Sequence, residues 1–93
     1  MLHLVVTYDI VDDYKRTRLA KFLKGYLDHV QKSVFEGDIQ EWHLEKLRQG
    51  IRERIDLTVD SVRLYTLCVR CQGVTEIIGT GVYVEHEDDD ILL

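Results

Sequence analysis

The sequence predicts an α+β domain, one open antiparallel sheet with two helices on a single face. Three observations predict it. Short segments with the apolar or alternating signature of strands are separated by two segments whose apolar residues recur at helical spacing. The order along the chain is strand, helix, strand or strand pair, helix, strand, strand, which one layer of strands and one layer of helices satisfies. The chain has 93 residues, 45% of them hydrophobic, with no proline and no internal repeat. That is enough for one core and too little for two.

Residues 2–8 are short and apolar, with Val5, Val6 and Thr7 among them, and they run into Asp9. This is a buried strand with a carboxylate at its C-terminal end. Asp12 and Asp13 suit the N-terminus of the next helix, where side-chain oxygens and negative charge are both favoured. Leu19, Phe22, Leu23 and Tyr26 give that helix one apolar stripe, its basic residues fall largely on the other faces, and Gly25 weakens the last turn. Residues 29–37 form the second extended stretch, interrupted by Lys32 and Ser33. It is one bent strand, or two short strands meeting near Ser33.

Asp38 stands three residues before Glu41, a capping-box-like spacing for a second helix. Leu44, Leu47, Ile51 and Ile55 form its stripe, and Gly50 is tolerated inside it at a cost of about 1 kcal/mol relative to alanine. Ser61–Leu67 alternates, with Val62, Leu64 and Thr66 on one side and Arg63, Tyr65 and Leu67 on the other. A turn is expected over 68–73, a strand over 75–78 and a last short strand over 82–84. The domain is therefore residues 1–84, followed by an acidic, mobile tail over 85–93. A ferredoxin-like sheet, βαββαβ plus a short C-terminal strand, is the best named candidate for this order. So few strands leave a bare edge and a bare face, and a second copy covering them makes a homodimer.

The net charge of −5 is unevenly placed. Glu85, Glu87, Asp88, Asp89 and Asp90 account for all of it, so the rest of the chain is neutral overall. Lys15, Arg16, Arg18, Lys21, Lys24 and Lys32 face only Asp28 between positions 14 and 34. Such a stretch is either a solvated helix face or a surface for a polyanion. The N-terminus lacks a basic leader and meets Asp9 early, no apolar run approaches the length of a membrane span, and two cysteines make no secreted disulfide framework. A cytoplasmic location and no membrane partner are expected.

Asp9 is the most informative position for chemistry. A carboxylate at the end of the first strand faces the crevice where open α/β sheets commonly act on ligands, although strand-end aspartates also make turns and caps. If a dimer axis passes near Asp9, two carboxylates meet. Such a pair recruits a cation, and with water as the remaining ligands it suits Mg2+ or Mn2+. The ion would orient a water and stabilise charge on a phosphodiester, with Asp12 and Asp13 as reserve ligands. Cys68 and Cys71 form a Cys-x-x-Cys pair, but His3, His29, His43 and His86 are scattered, so a turn with reduced thiols is favoured over zinc. No glycine-rich phosphate loop is present, and neither Ser33 nor Ser61 has a His-plus-acid partner nearby in sequence. Trp42, just inside the second helix, is read as packing or interface.

Three runs carry a resemblance. They are Val5-Val6-Thr7-Tyr8-Asp9-Ile10, Val30-Gln31-Lys32-Ser33-Val34-Phe35-Glu36-Gly37, and Asp60-Ser61-Val62-Arg63-Leu64-Tyr65, with a basic helix between the first two. In this order and spacing the chain resembles the small spacer-acquisition subunit family of the CRISPR systems, over about residues 2–79. The resemblance implies a ferredoxin-like fold and a symmetric homodimer seated between dimers of the partner integrase, holding a spacer's DNA duplex. It also implies metal-dependent nuclease activity on RNA or DNA, as reported for some members, and thus a CRISPR-associated endoribonuclease or endonuclease.

On this chain the family's strand-end acid is matched by Asp9, as catalytic residue and ligand of Mg2+ (or Mn2+). Its neighbouring aromatic is matched by Tyr8, its basic helix positions by Arg16 and Arg18 beside Lys15, and its central Ser and Phe by Ser33 and Phe35. These are the candidate nucleic-acid contacts, for duplex DNA and for single-stranded RNA. The fold requires two strands where residues 29–37 read nearly as one, so the break belongs at Lys32 and Ser33. The chain departs from the common pattern at Val11, where many relatives carry a small residue. Two other readings stand beside this one: a toxin-like ribonuclease of similar architecture, and a non-enzymatic ferredoxin-like regulatory module.

Overall fold

The computed structural model describes residues 1–67 together with Glu76 and Ile78. The expected strands over 75–78 and 82–84, the Cys68/Cys71 turn and the acidic tail lie outside the described residues. The described part runs β1 (Leu2–Asp9), α1 (Asp13–Leu23), β2 (Asp28–Gln31), β3 (Val34–Ile39), α2 (Glu41–Arg52) and β4 (Ser61–Leu67). The sheet order is β2-β3-β1-β4 and every neighbouring pair is antiparallel. This is the ferredoxin-like arrangement the sequence predicts, with β3 inserted between the strands that α1 connects.

Strand alternation sorts the side chains. On β1, Leu4, Val6 and Tyr8 are buried, and register sets Phe35 of β3 and Leu64 of β4 beside Val6. These residues join Leu19 and Leu23 of α1 and Leu47 and Ile51 of α2 in one core. His3, Val5, Thr7 and Asp9 alternate with them and point to the opposite, helix-free face. Antiparallel register brings Glu36 and Asp38 of β3, and Ser61, Arg63 and Tyr65 of β4, to that same face.

The break in the second extended stretch falls at Lys32 and Ser33, between β2 and β3, with a register shift at His29/Gln31. Asp12 caps α1, its carboxylate accepting from the Lys15 amide at 2.8 Å. The capping-box expectation for α2 is corrected. Gln40 is the N-cap and makes no side-chain cap. Asp38 is drawn into β3, where pairing with β1 satisfies its backbone and His3 engages its carboxylate at 2.8 Å. Trp42 does not pack into the core. It is 75% exposed and lies against the His43 ring.

Candidate active site at the C-terminal end of the first strand

Four segments meet at one end of the sheet: the end of β1, the turn between β2 and β3, the loop into α1, and the start of β4. The turn is tied to β1 by two bonds from Tyr8 and braced by a third from His29 of β2. The Tyr8 amide donates to the Ser33 carbonyl at 3.1 Å, and the Tyr8 hydroxyl and the His29 imidazole both approach the Lys32 carbonyl, at 3.3 and 3.0 Å. On the other side, one oxygen of Asp60 accepts from the Val11 amide at 3.0 Å and the second from the Asp56 amide at 2.8 Å. Asp60 thereby staples the loop that follows Asp9 to the loop that precedes β4. Asp56 is itself engaged by Thr58, whose hydroxyl and amide hold its carboxyl below the usual range.

Asp9 lies at the mouth of this arrangement. It is exposed, and its side chain makes no hydrogen bond or ion pair within the described residues. It lines a groove of about 280 Å³ with Thr7, Tyr8, Ser61, Arg63 and Tyr65. Ser61 is its register partner on β4, and Arg63 is the partner of Thr7. Arg63 and Tyr65 stand two residues apart on the same face of β4, and the neighbouring Tyr65 hydroxyl pushes the Arg63 pKa further up. Alternation along Ser61–Leu67 gives these residues a common side. Which strand that side would face depends on long-range register, so their meeting with Asp9 was not legible in sequence.

The other predicted residues separate into groups. Lys15 and Arg16 lie on the first turn of α1, at the Asp9 end of the sheet. Arg16 is ion-paired with Asp13, and Arg18 lies over the Tyr14 ring with 5.7 Å between guanidinium carbon and ring centroid. Ser33 is half-buried at the turn bound to Tyr8. Phe35 is a correction. It has no exposed surface, packs against the His29 ring at 4.3 Å, and belongs to the core. A base cannot stack on it without opening the sheet. Tyr8 is 8% exposed, so its ring is likewise a core member.

The donor set bears on a metal ion. No group of three or more His, Cys, Asp or Glu side chains gathers among the described residues. Asp12 is taken by the α1 cap and Asp13 by Arg16, which removes the reserve ligands. Asp9 remains as a single unengaged oxygen donor. Mg2+ accepts such a site, because it binds through one or two carboxylates and fills its sphere with water and substrate phosphate.

Residues 1–74 match the sequence model of the family described as CRISPR associated protein Cas2. The chain belongs to the Cas2 family. A CRISPR-associated endonuclease Cas2 of Thermus thermophilus is 40% identical over 87 residues, covering 94% of this chain and 92% of the relative. A CRISPR-associated endoribonuclease Cas2 of Methanospirillum hungatei is 45% identical over 78 residues, covering 83% of this chain and 86% of the relative. Among solved structures, Streptococcus pyogenes Cas2 superposes with a TM-score of 0.73 at 28% identity, covering 83% of this chain and 99% of that one. A chain of a partial Cas6-RT-Cas1–Cas2 complex does so with 0.65 at 28% identity, covering 88% of this chain and 94% of that one. The ferredoxin-like architecture is thus that of Cas2 structures. No helix among the described residues is long and apolar enough to cross a membrane.

Proposed function

We propose that this Cas2-family chain serves CRISPR adaptation as a homodimer that holds nucleic acid beside the partner integrase, with a metal-dependent phosphodiesterase centre at Asp9. The observation that carries the reading is the unengaged Asp9 carboxylate, set in a groove beside Arg63 and the hydroxyl-bearing Thr7, Ser61 and Tyr65. Relatives named endonuclease and endoribonuclease support the chemistry, and a like fold within a complex that includes Cas1 supports the partner.

Dimerisation follows from the sheet. Its helix-free face presents Val5, Thr7, Tyr65 and a set of charged groups with no covering layer among the described residues. A second copy laid on that face, with the β1–β4 groove left open at its rim, supplies a second Asp9 from the opposite protomer. The two carboxylates would hold Mg2+ or Mn2+, which when bound polarises a phosphodiester and lowers the pKa of its water. The chain's own residues do the rest. Lys15, Arg16 and Arg18 contact backbone phosphates and set the register of the strand or duplex. The Ser33 hydroxyl adds a neutral donor at the turn. Tyr8 and Phe35 keep the end of β1 rigid from beneath.

Two measurements test this. Cleavage of bare RNA or DNA in Mg2+ should fall at least about a hundredfold in Asp9→Ala, the scale of losing a positioned catalytic carboxylate. Unchanged metal-dependent cleavage would show that Asp9 is not catalytic. Duplex binding should weaken steeply with salt as counterions are released, and salt-independent or undetectable binding points instead to a regulatory module.

A further inference from the structure

Asp9 cannot by itself attract a phosphate, since carboxylate and phosphodiester repel each other. The groove around it resolves that conflict. Of its six lining residues, Asp9 is the one anion and Arg63 the one cation, and Thr7, Ser61 and Tyr65 add hydroxyls. A phosphodiester oxygen is purely an acceptor, so the donors of Thr7, Ser61, Arg63 and Tyr65 match its chemistry. Arg63 stands across the β1–β4 ladder from Thr7, two residues along β4 from Ser61, the partner of Asp9. Its planar fork grips two phosphate oxygens at once. No carboxylate among the described residues engages Arg63, and Tyr65 stands two residues on along β4, on the same face.

On the first turn of α1, by contrast, Arg16 is already compensated by Asp13. We infer that the groove between β1 and β4 is a phosphate subsite, in which Arg63, flanked by Tyr65, Ser61 and Thr7, holds the backbone phosphate of the nucleic acid presented to Asp9. The inference rests on the reading of Asp9 as the catalytic carboxylate. It names the group that sets the substrate against it.

The test separates the subsite from the chemistry. In an Asp9→Asn background, binding of a single-stranded RNA oligonucleotide is measured by anisotropy across a salt series, for protein with Arg63 intact and with Arg63→Ala, Arg63→Lys or Tyr65→Phe. Arg63 is exposed, so these changes leave the core intact. Arg63→Ala should weaken binding about tenfold at low salt, the scale of one charge-assisted contact. It should also reduce the slope of log affinity against log salt by about 0.7, the loss of one single-strand phosphate. Arg63→Lys should keep the slope and lose part of the affinity, and Tyr65→Phe should weaken binding less than Arg63→Ala at unchanged slope. Unchanged affinity and slope in Arg63→Ala overturns the subsite. So does an unchanged slope accompanied by a shift in dimer dissociation, which would make Arg63 an interface residue. Cleavage that survives Asp9→Ala sinks the catalytic reading alone, because the slope still decides the subsite.

Discussion

His3 lies on the helix-free face with its two ring nitrogens against two carboxylates, Nε2 at 2.7 Å from Glu36 and Nδ1 at 2.8 Å from Asp38. A neutral imidazole has one N–H and donates to one of them; both contacts become hydrogen bonds when the ring is protonated. Burial of the ring acts to lower its pKa, and the hydrogen bonds and charges of Glu36 and Asp38 outweigh that, so the value rises above 6.5. The folded chain therefore binds this proton more tightly than the unfolded chain. The resulting stabilisation is complete below about pH 6.5, the unfolded value, and is lost as pH rises through the higher folded value. Denaturant midpoints at fixed protein concentration should fall across that window, and His3→Gln should remove that part of the fall. An identical pH profile for the variant would exclude the linkage. Asp28 on β2 pairs with Glu36 in the same row, which adds a third carboxylate on the β3 side of the ring.

At the scale of elements, the two helices meet at Gly50. A Cβ there would fall 2.7 Å from two ring carbons of Phe22, well inside van der Waals contact. The ring has little room to retreat, because the Arg54 guanidinium lies over it at 4.2 Å while donating to the Gly50 carbonyl. Glycine is thus retained in the interior of α2, against its poor helix propensity, as the seat for α1. Gly50→Ala should gain about 1 kcal/mol of propensity and lose about 1–3 kcal/mol to overpacking, a net destabilisation in urea melts. Adding Phe22→Leu should recover part of the loss. A stabilised Gly50→Ala would mean that the helices slide apart freely. The β2–β3 hairpin plays the corresponding part for the site, since its turn carbonyls fasten the last residues of β1.

At the scale of the whole molecule, charge is segregated rather than neutralised. The basic residues from 15 to 32 and the acids of the tail oppose each other, although the net sum is −5. An acidic segment carried on the same chain as a basic one competes with nucleic acid for it at low salt. Deleting residues 85–93 should then tighten DNA binding at low ionic strength and converge with the full chain at high salt. Equal affinity at both would show that the tail does not mask the face.

Periodicity, caps and turns are properties of neighbouring residues, which is why so much of this protein was legible in its sequence. The two-residue alternation of β4, the stripes of α1 and α2, the Asp12 cap, the break at Lys32 and Ser33, and Asp9 at a strand end all follow from local rules. The tertiary structure decided what those rules do not reach. Asp38 entered a strand because pairing with β1 and a bond to His3 outweighed a helix cap. Phe35 left the nucleic-acid surface because register against Val6 turned it into the core. Arg63 and Tyr65 joined Asp9 because β4 pairs antiparallel with β1 at one particular register. That choice is made by packing between segments remote in sequence, and no run of neighbouring residues encodes it alone.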